Sequence, residues 1–366
     1  MTDTPQITPQ PGIMDIAPYV GGASHVEGAE TVIKLSSNEN PYGPSPKARA
    51  AYEAAISNLA DYPDPGCEAL RSAIAERHGI EASQIICGNG SDELIALLCQ
   101  AYAGVGDEVL APDHSFLLYG ICAQANGASP VVAPDVNLSP DVDELLAACT
   151  DKTRLVFLAN PNNPTGARLN AQELDRLAAG IPEGALLVLD SAYAEYVDAD
   201  DYDSGIALVR RRENVVMTRT FSKIYGLAAL RVGWMYAPDH VLDVLHRIRG
   251  PFNVNGAAQA AATAAMQDLD YTASCAERNK ASLERLEAGL KALGLTTAPS
   301  SANFLLVEFG EDASNGAAAA DAHLKSKGII ARPMNSYGLP GHLRISIGDE
   351  ASVDAVLTAL AEFTGQ

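Results

Sequence analysis

The stretch TFSKIYGLAALR, Thr220–Arg231, places one lysine among small and apolar neighbours, three residues after a threonine and eight before an arginine. Lysine ordinarily occupies a solvated face, and Lys223 lacks the polar surroundings of one. The apolar run NVVMTR (214–219) leads directly into it, and RVGWMYA (231–237) follows. Both runs read as buried strands, so Lys223 lies just past a strand end.

Further such runs precede it: QIIC (84–87), DEVLAP (107–112), PVVAP (130–134), RLVFLA (154–159) and ALLVLD (185–190). Between them lie amphipathic segments such as SDELIALLCQAYA (91–103) and the capped SPDVDELLAAC (139–149). Continuous apolar runs alternating with helices predict a mainly parallel seven-stranded sheet covered on both faces. DHVLDVLHRI (239–248) and the long segment from about 257 to 293 read as helices. Past TTAPSSAN the pattern changes. FLLVEF, GIIARP and HLRISIG read as strands separated by helices from about 315 to 327 and 350 to 363, a compact α+β unit. The first 40 residues have no strand-rich core and are expected to pack on that unit. The expected organisation is a large domain over 41–284 and a smaller, discontinuous α+β domain formed by 1–40 and 285–366.

Composition narrows the function. The 366 residues are 47% hydrophobic and 19% charged, a globular balance. A formal charge of -21 repels a phosphate backbone, which argues against nucleic-acid binding. Six cysteines occur without a CxxC pair, so they read as buried thiols, and no metal-ligand spacing is present. The N-terminus has no basic and apolar leader pattern, and no apolar run reaches membrane-spanning length. A cytoplasmic protein without a membrane partner is expected.

Three motifs cluster at strand ends. GNGSDE (88–93) leaves a strand and opens a helix, whose free N–H groups suit a phosphate. An ordinary capped turn explains it as well, and Glu93 stands where a dinucleotide fingerprint needs glycine. NPNNPTG (160–166) dictates a turn at a carboxyl strand end, the edge where open α/β sheets bind ligands, and offers the Asn163 amide. LLVLDSAYAEY closes a buried strand with Asp190, followed by Tyr193. A carboxylate there is costly unless paired, although a helix cap would also account for it. One chemistry uses an asparagine, an aspartate with a tyrosine, and a lysine together at such an edge. Pyridoxal 5'-phosphate takes a lysine as covalent anchor, a carboxylate at its pyridine nitrogen, donors at its phenolic oxygen, and a helix N-terminus with an arginine at its phosphate.

On these residues the sequence resembles the fold-type I pyridoxal-phosphate aminotransferases, and within them the histidinol-phosphate aminotransferase family. The resemblance runs through KLSSNENPYGPSPKA (34–48), GNGSDE, NPNNPTG, TFSKIYGLAALRVGW (220–234) and GLPGHLRISIG (338–348), in that order. It implies a fold-type I α/β transferase acting as a homodimer with shared active sites. It also implies that Lys223 is the anchoring lysine and proton shuttle. Asp190 is then the partner of the pyridine nitrogen, and Tyr193 and Asn163 the pair at the phenolic oxygen. Ser91, Asp92, Thr220, Ser222 and Arg231 hold the phosphate. Phe116 stacks on the ring, where relatives often have tyrosine, so a hydroxyl contact there is in doubt. Tyr62 reaches the phosphate in the partner subunit. Arg344 and Arg332 bind the two ends of the substrate, covered by Tyr19. Ala229 and Ile224 depart from common relatives only in packing.

The implied activity is transamination of L-histidinol phosphate with 2-oxoglutarate, in histidine biosynthesis. An aromatic or broad-specificity amino acid aminotransferase shares every cofactor residue and stays open. A lyase or decarboxylase on the same cofactor is the rival from another class, and Arg344 speaks mildly against it. A non-enzymatic binding domain would have no use for Lys223, Asp190 and Tyr193 together.

Overall fold

The computed structural model describes residues 7–26 and 31–366. Residues 1–6, part of the segment read as lacking a leader, and residues 27–30, assigned by sequence to the smaller domain, lie outside the described residues. The seven strand runs from QIIC to RVGWMYA form one seven-stranded sheet. Its order is Ile85–Gly88, Gly233–Tyr236, Val215–Thr220, Leu186–Asp190, Thr153–Ala159, Glu108–Pro112, Ser129–Ala133. Gly233–Tyr236 is antiparallel to both neighbours, and every other pairing is parallel.

Strand alternation explains the unbroken apolar runs. Leu187, Leu189, Val215 and Met217 enter one core. Leu186, Val188, Val216 and Phe157 enter another on the opposite face. Both faces are covered, so neither can be polar.

The long helical segment is corrected by the structure. It is two helices, Gly256–Gln267 and Leu269–Ala292, broken at Asp268, whose backbone leaves the helical region (φ -92, ψ 72). Asp268 is drawn into a 3.0 Å ion pair with Lys47, and its carbonyl accepts the Thr272 hydroxyl.

The C-terminal unit is a four-stranded antiparallel sheet ordered Arg332–Pro333, His342–Ser346, Phe304–Glu308, Thr296–Thr297. Helices Ala317–Ser326 and Glu350–Thr364 cover it, and a separate apolar core fills the layer between. Ile33–Lys34 pairs in parallel with Ile329–Ile330, so the N-terminal segment adds to this unit. The expected boundary at 284/285 falls inside Leu269–Ala292. That helix gives Cys275 to the large core and Leu286 and Leu290 to the small one.

Candidate active site

Three neighbouring parallel strands, Thr153–Ala159, Leu186–Asp190 and Val215–Thr220, end together at one sheet edge. Parallel direction brings the NPNNPTG turn, Asp190 with Tyr193, and the Lys223 loop to a common place. A cleft of about 300 Å³ opens there, the lower end of small-molecule sites. Tyr19, Ser91, Asp92, Phe116, Asn163, Asp190, Tyr193, Thr220, Ser222, Lys223, Arg231, Arg332 and Arg344 all line it. Tyr62 does not. It lies on the outer surface, its ring stacked on Phe252 at 4.6 Å.

Asp190 is buried at the floor. Its carboxylate accepts the Tyr119 hydroxyl at 2.8 Å and the Thr218 hydroxyl at 3.2 Å. Burial pushes its pKa up to about 6, and the two hydroxyls oppose that rise. It caps no helix, so a side chain on a sheet neighbour and one on a helix satisfy it instead. Tyr119 and Thr218 escaped the sequence reading. Thr218 had a signal, since it shares a strand face with Thr220 two residues on and is the register partner of Asp190. Tyr119 had none, because it reaches Asp190 across 71 residues of chain.

Lys223 Nζ donates to the Ser37 carbonyl at 3.3 Å and lies 5.6 Å from the centre of the Tyr193 ring. Burial, aided by the Arg344 charge, lowers its pKa to about 8. A fraction of the amine is therefore free near neutrality, as covalent capture of a carbonyl needs. Tyr193 is buried against Phe304, edge to face, and its pKa is raised by that burial. Asn163 turns its Oδ1 to Arg344 Nη1.

At the other end, helix Ser91–Tyr102 begins without a side-chain cap, leaving its first N–H groups to the cleft. Gly90 bends left-handed there (φ +82). A Cβ on Gly233 would lie 2.5 Å from the Ser91 nitrogen and 2.7 Å from the Gly90 carbonyl carbon, so only glycine lets this loop seat on the sheet. Arg231, itself left-handed (φ +51), donates to Ser222 Oγ at 3.2 Å and Asp92 Oδ2 at 3.0 Å. Thr220 Oγ1 accepts the Ser222 N–H at 3.1 Å. Helix N-terminus, two hydroxyls and one guanidinium thus converge as an anion cradle.

Phe116 forms the wall, edge-on to Tyr119 at 5.7 Å and to Tyr19 at 6.4 Å. Arg332 and Arg344 are cross-strand register partners. Arg332 donates to the Val20 carbonyl at 2.6 Å, and Arg344 to the Ser36 carbonyl at 3.0 Å. Arg344 Nε is buried without a partner, and neither arginine meets a carboxylate within 4.0 Å among the described residues. The donor set fits pyridoxal phosphate: an anion cradle, a floor carboxylate, a wall aromatic and a lysine of lowered pKa in one cleft. Asn38 also escaped the sequence reading. It lies in KLSSNENPYGPSPKA, to which no role was attached, and it donates to the Tyr193 hydroxyl at 3.0 Å.

Fold and site together define a class. The chain matches the aminotransferase class I and II family over residues 30–360 and belongs to that family. Within it the chain is a member of the histidinol-phosphate aminotransferase family. It is 56% identical over 361 residues to the histidinol-phosphate aminotransferase of Dinoroseobacter shibae, covering 99% of each chain. It is 54% identical to that of Paramagnetospirillum magneticum, covering 98% of each. The Sinorhizobium meliloti histidinol-phosphate aminotransferase, solved in complex with pyridoxal-5'-phosphate, superposes with a TM-score of 0.90 at 30% identity, over 100% of this chain and 99% of that one. The fold-type I α/β architecture is thereby established.

Proposed function

We propose that this protein catalyses pyridoxal-phosphate-dependent transamination of L-histidinol phosphate with 2-oxoglutarate, giving imidazole acetol phosphate and glutamate in histidine biosynthesis. The observation that carries the substrate reading is the opposed Arg332–Arg344 pair, which among the described residues has no acid of its own to neutralise it. Two such guanidinium groups suit a substrate bearing a phosphate and, in the other half-reaction, an acid bearing two carboxylates. Relatives at 56% and 54% identity carry the same activity in their names.

When bound, pyridoxal phosphate supplies an aldehyde that captures the amino group and a ring that spreads carbanion charge. Ser91 and Asp92 N–H groups, Thr220, Ser222 and Arg231 hold its phosphate in this reading. Asp190 keeps a proton at the ring nitrogen, with Tyr119 and Thr218 fixing the carboxylate. Tyr193 donates at the phenolic oxygen, supported by Asn163, and Phe116 packs on the ring face. Lys223 anchors the group and afterwards moves a proton to and from the substrate carbon through Nζ. Tyr19 closes the cleft over the substrate and limits water.

A homodimer completes the proposal. Leu59, Tyr62 and Phe252 are exposed together around a surface groove, an apolar patch that a second copy would cover. The division into a large unit over 41–284 and a small unit of 1–40 and 285–366 and a cytoplasmic location belong to the same reading. A substrate panel decides it: histidinol phosphate, phenylalanine, tyrosine and aspartate, each with 2-oxoglutarate. Histidinol phosphate should be preferred by orders of magnitude. Equal turnover of phenylalanine would hand the function to the aromatic aminotransferases.

A further inference from the structure

Three successive residues of the N-terminal segment meet three residues of the cleft. The Ser36 carbonyl accepts Arg344, the Ser37 carbonyl accepts Lys223, and the Asn38 side chain donates to Tyr193. Asn38 is the most constrained of the three. It is 1% exposed and holds a left-handed backbone (φ +57), which costs a non-glycine residue free energy that asparagine bears best. Its main-chain carbonyl accepts Asn303 Nδ2 at 3.0 Å, its N–H donates to Ser346 Oγ at 2.9 Å, and Ser346 Oγ donates to its Oδ1 at 2.9 Å.

These bonds fix directions as well as distances. The Ser346 hydroxyl has one proton and is buried. It already accepts the Asn38 N–H, so its own proton goes to Asn38 Oδ1. The Asn38 amide then presents its NH2 to Tyr193. The reverse orientation would leave the buried Ser346 proton without an acceptor, at the full cost of an unmade hydrogen bond. Tyr193 Oη must therefore accept from Asn38. Burial keeps the phenol protonated, so its own proton points elsewhere, and the open side is the cleft. Accepting one hydrogen bond also makes a hydroxyl the better donor in the next. The charged groups around the ring are Lys223, Asp190 and Arg344, and none of them hydrogen-bonds the hydroxyl.

We propose that Asn38, oriented by Ser346, is a positioning residue that aims the Tyr193 proton into the cleft, coupling the strand of Arg344 to the donor at the cofactor's phenolic oxygen. The inference rests on the reading of Tyr193 given above. The test is a pH titration of the visible absorbance of the holoenzyme, which reports protonation at the lysine–cofactor linkage. A proton aimed at the phenolic oxygen favours the unprotonated linkage, so its loss raises the titration midpoint. Asn38→Gly keeps the left-handed backbone and removes the amide. It should raise the midpoint by about 0.5–1 unit, the worth of one hydrogen bond. Ser346→Ala, which frees the amide to turn, should shift it the same way and serves where Asn38→Gly fails to hold cofactor. Each change should have no effect in a Tyr193→Phe background. A midpoint unmoved by both substitutions while Tyr193→Phe shifts it overturns the inference alone. A shift that persists in Tyr193→Phe also overturns it, since a general loosening of the site would then be the cause. A Tyr193→Phe midpoint equal to wild type overturns the reading of Tyr193 and this inference with it.

Discussion

Arg332 and Arg344 stand directly opposite one another on adjacent antiparallel strands, two buried like charges whose acceptors among the described residues are backbone carbonyls and one amide. Like charges in opposed positions destabilise a sheet. In the proposed function an anionic substrate would complete the pair. Arg332→Ala and Arg344→Ala should each impair both half-reactions, by about 2–5 kcal/mol in transition-state stabilisation. Stopped-flow half-reactions with histidinol phosphate and with glutamate would measure this. If Arg332→Ala spared phenylalanine, and wild type used phenylalanine as fast as histidinol phosphate, the substrate reading would fall.

Lys223→Met should abolish transamination, yet make the cofactor-free protein more stable at pH 7. The folded pKa of about 8 lies below the reference 10.5, so the unfolded chain binds the extra proton between those values. Stability of the wild-type apoprotein should therefore rise as pH climbs from about 8 to 10.5, and the mutant should lack that rise. Lys223 keeps some exposure, so the gain at pH 7 should be about 1–3 kcal/mol. Urea denaturation of both apoproteins across this range reads it. Borohydride reduction of the wild-type holoenzyme should fix cofactor to Lys223 in peptide mapping, and label on another lysine would end the assignment.

Asp190→Asn should retain cofactor but lose turnover by orders of magnitude, because a neutral amide cannot hold a proton at the ring nitrogen. The apoprotein carries the opposite signature to Lys223. The folded pKa near 6 lies above the reference 3.8, so native protein binds more protons in that window and loses stability as pH rises through it. Asp190→Asn should flatten that decline. A kcat near wild type would contradict the assigned role.

Gly233→Ala should weaken cofactor binding. The new methyl would press on main-chain atoms of Gly90, Ser91 and Arg219, none of which can rotate away. The helix N-terminus must retreat, at a cost of about 1–3 kcal/mol. Fluorescence titration of apoprotein with pyridoxal phosphate measures it, and an unchanged Kd would show that the loop is not the phosphate site.

Light scattering should find a dimer, and Leu59→Glu should dissociate it and lower activity together. Tyr62→Phe should leave the dimer intact and weaken cofactor affinity by about 0.5–3 kcal/mol, the range of a single hydrogen bond. A fully active monomer at working concentration would sink the shared-site reading.

The sheet was legible in the sequence because its strands are unbroken apolar runs, the central ones almost wholly buried, and even the partly exposed edge strand Ser129–Ala133 keeps such a run. Asp190, Lys223 and Asn163 were legible because strand ends and turn residues mark them locally. Tyr119 and Asn38 were not, since each reaches the cleft only by touching a remote part of the chain, Tyr119 from a helix face and Asn38 from a motif whose residues carry no local mark of their partners. The break at Asp268 was hidden for the same reason: its partner, Lys47, is remote in sequence. The chain between Arg332 and Arg344 folds back through the left-handed Gly338 and sets the two side by side.

The bonds between Asn38 and Ser346 span 308 residues. A ribosome makes Asn38 early and Ser346 near the end. Until residues 332–346 join the rest of the chain, the cleft has its Asp190 floor and its Ser91 and Arg231 cradle but neither Arg332 and Arg344 nor the Ser346 contact that orients Asn38. The floor and cradle thus come from residues 91–231 and the opposed guanidinium groups from 332–344, so a fragment ending before residue 332 should keep the former and lose the latter.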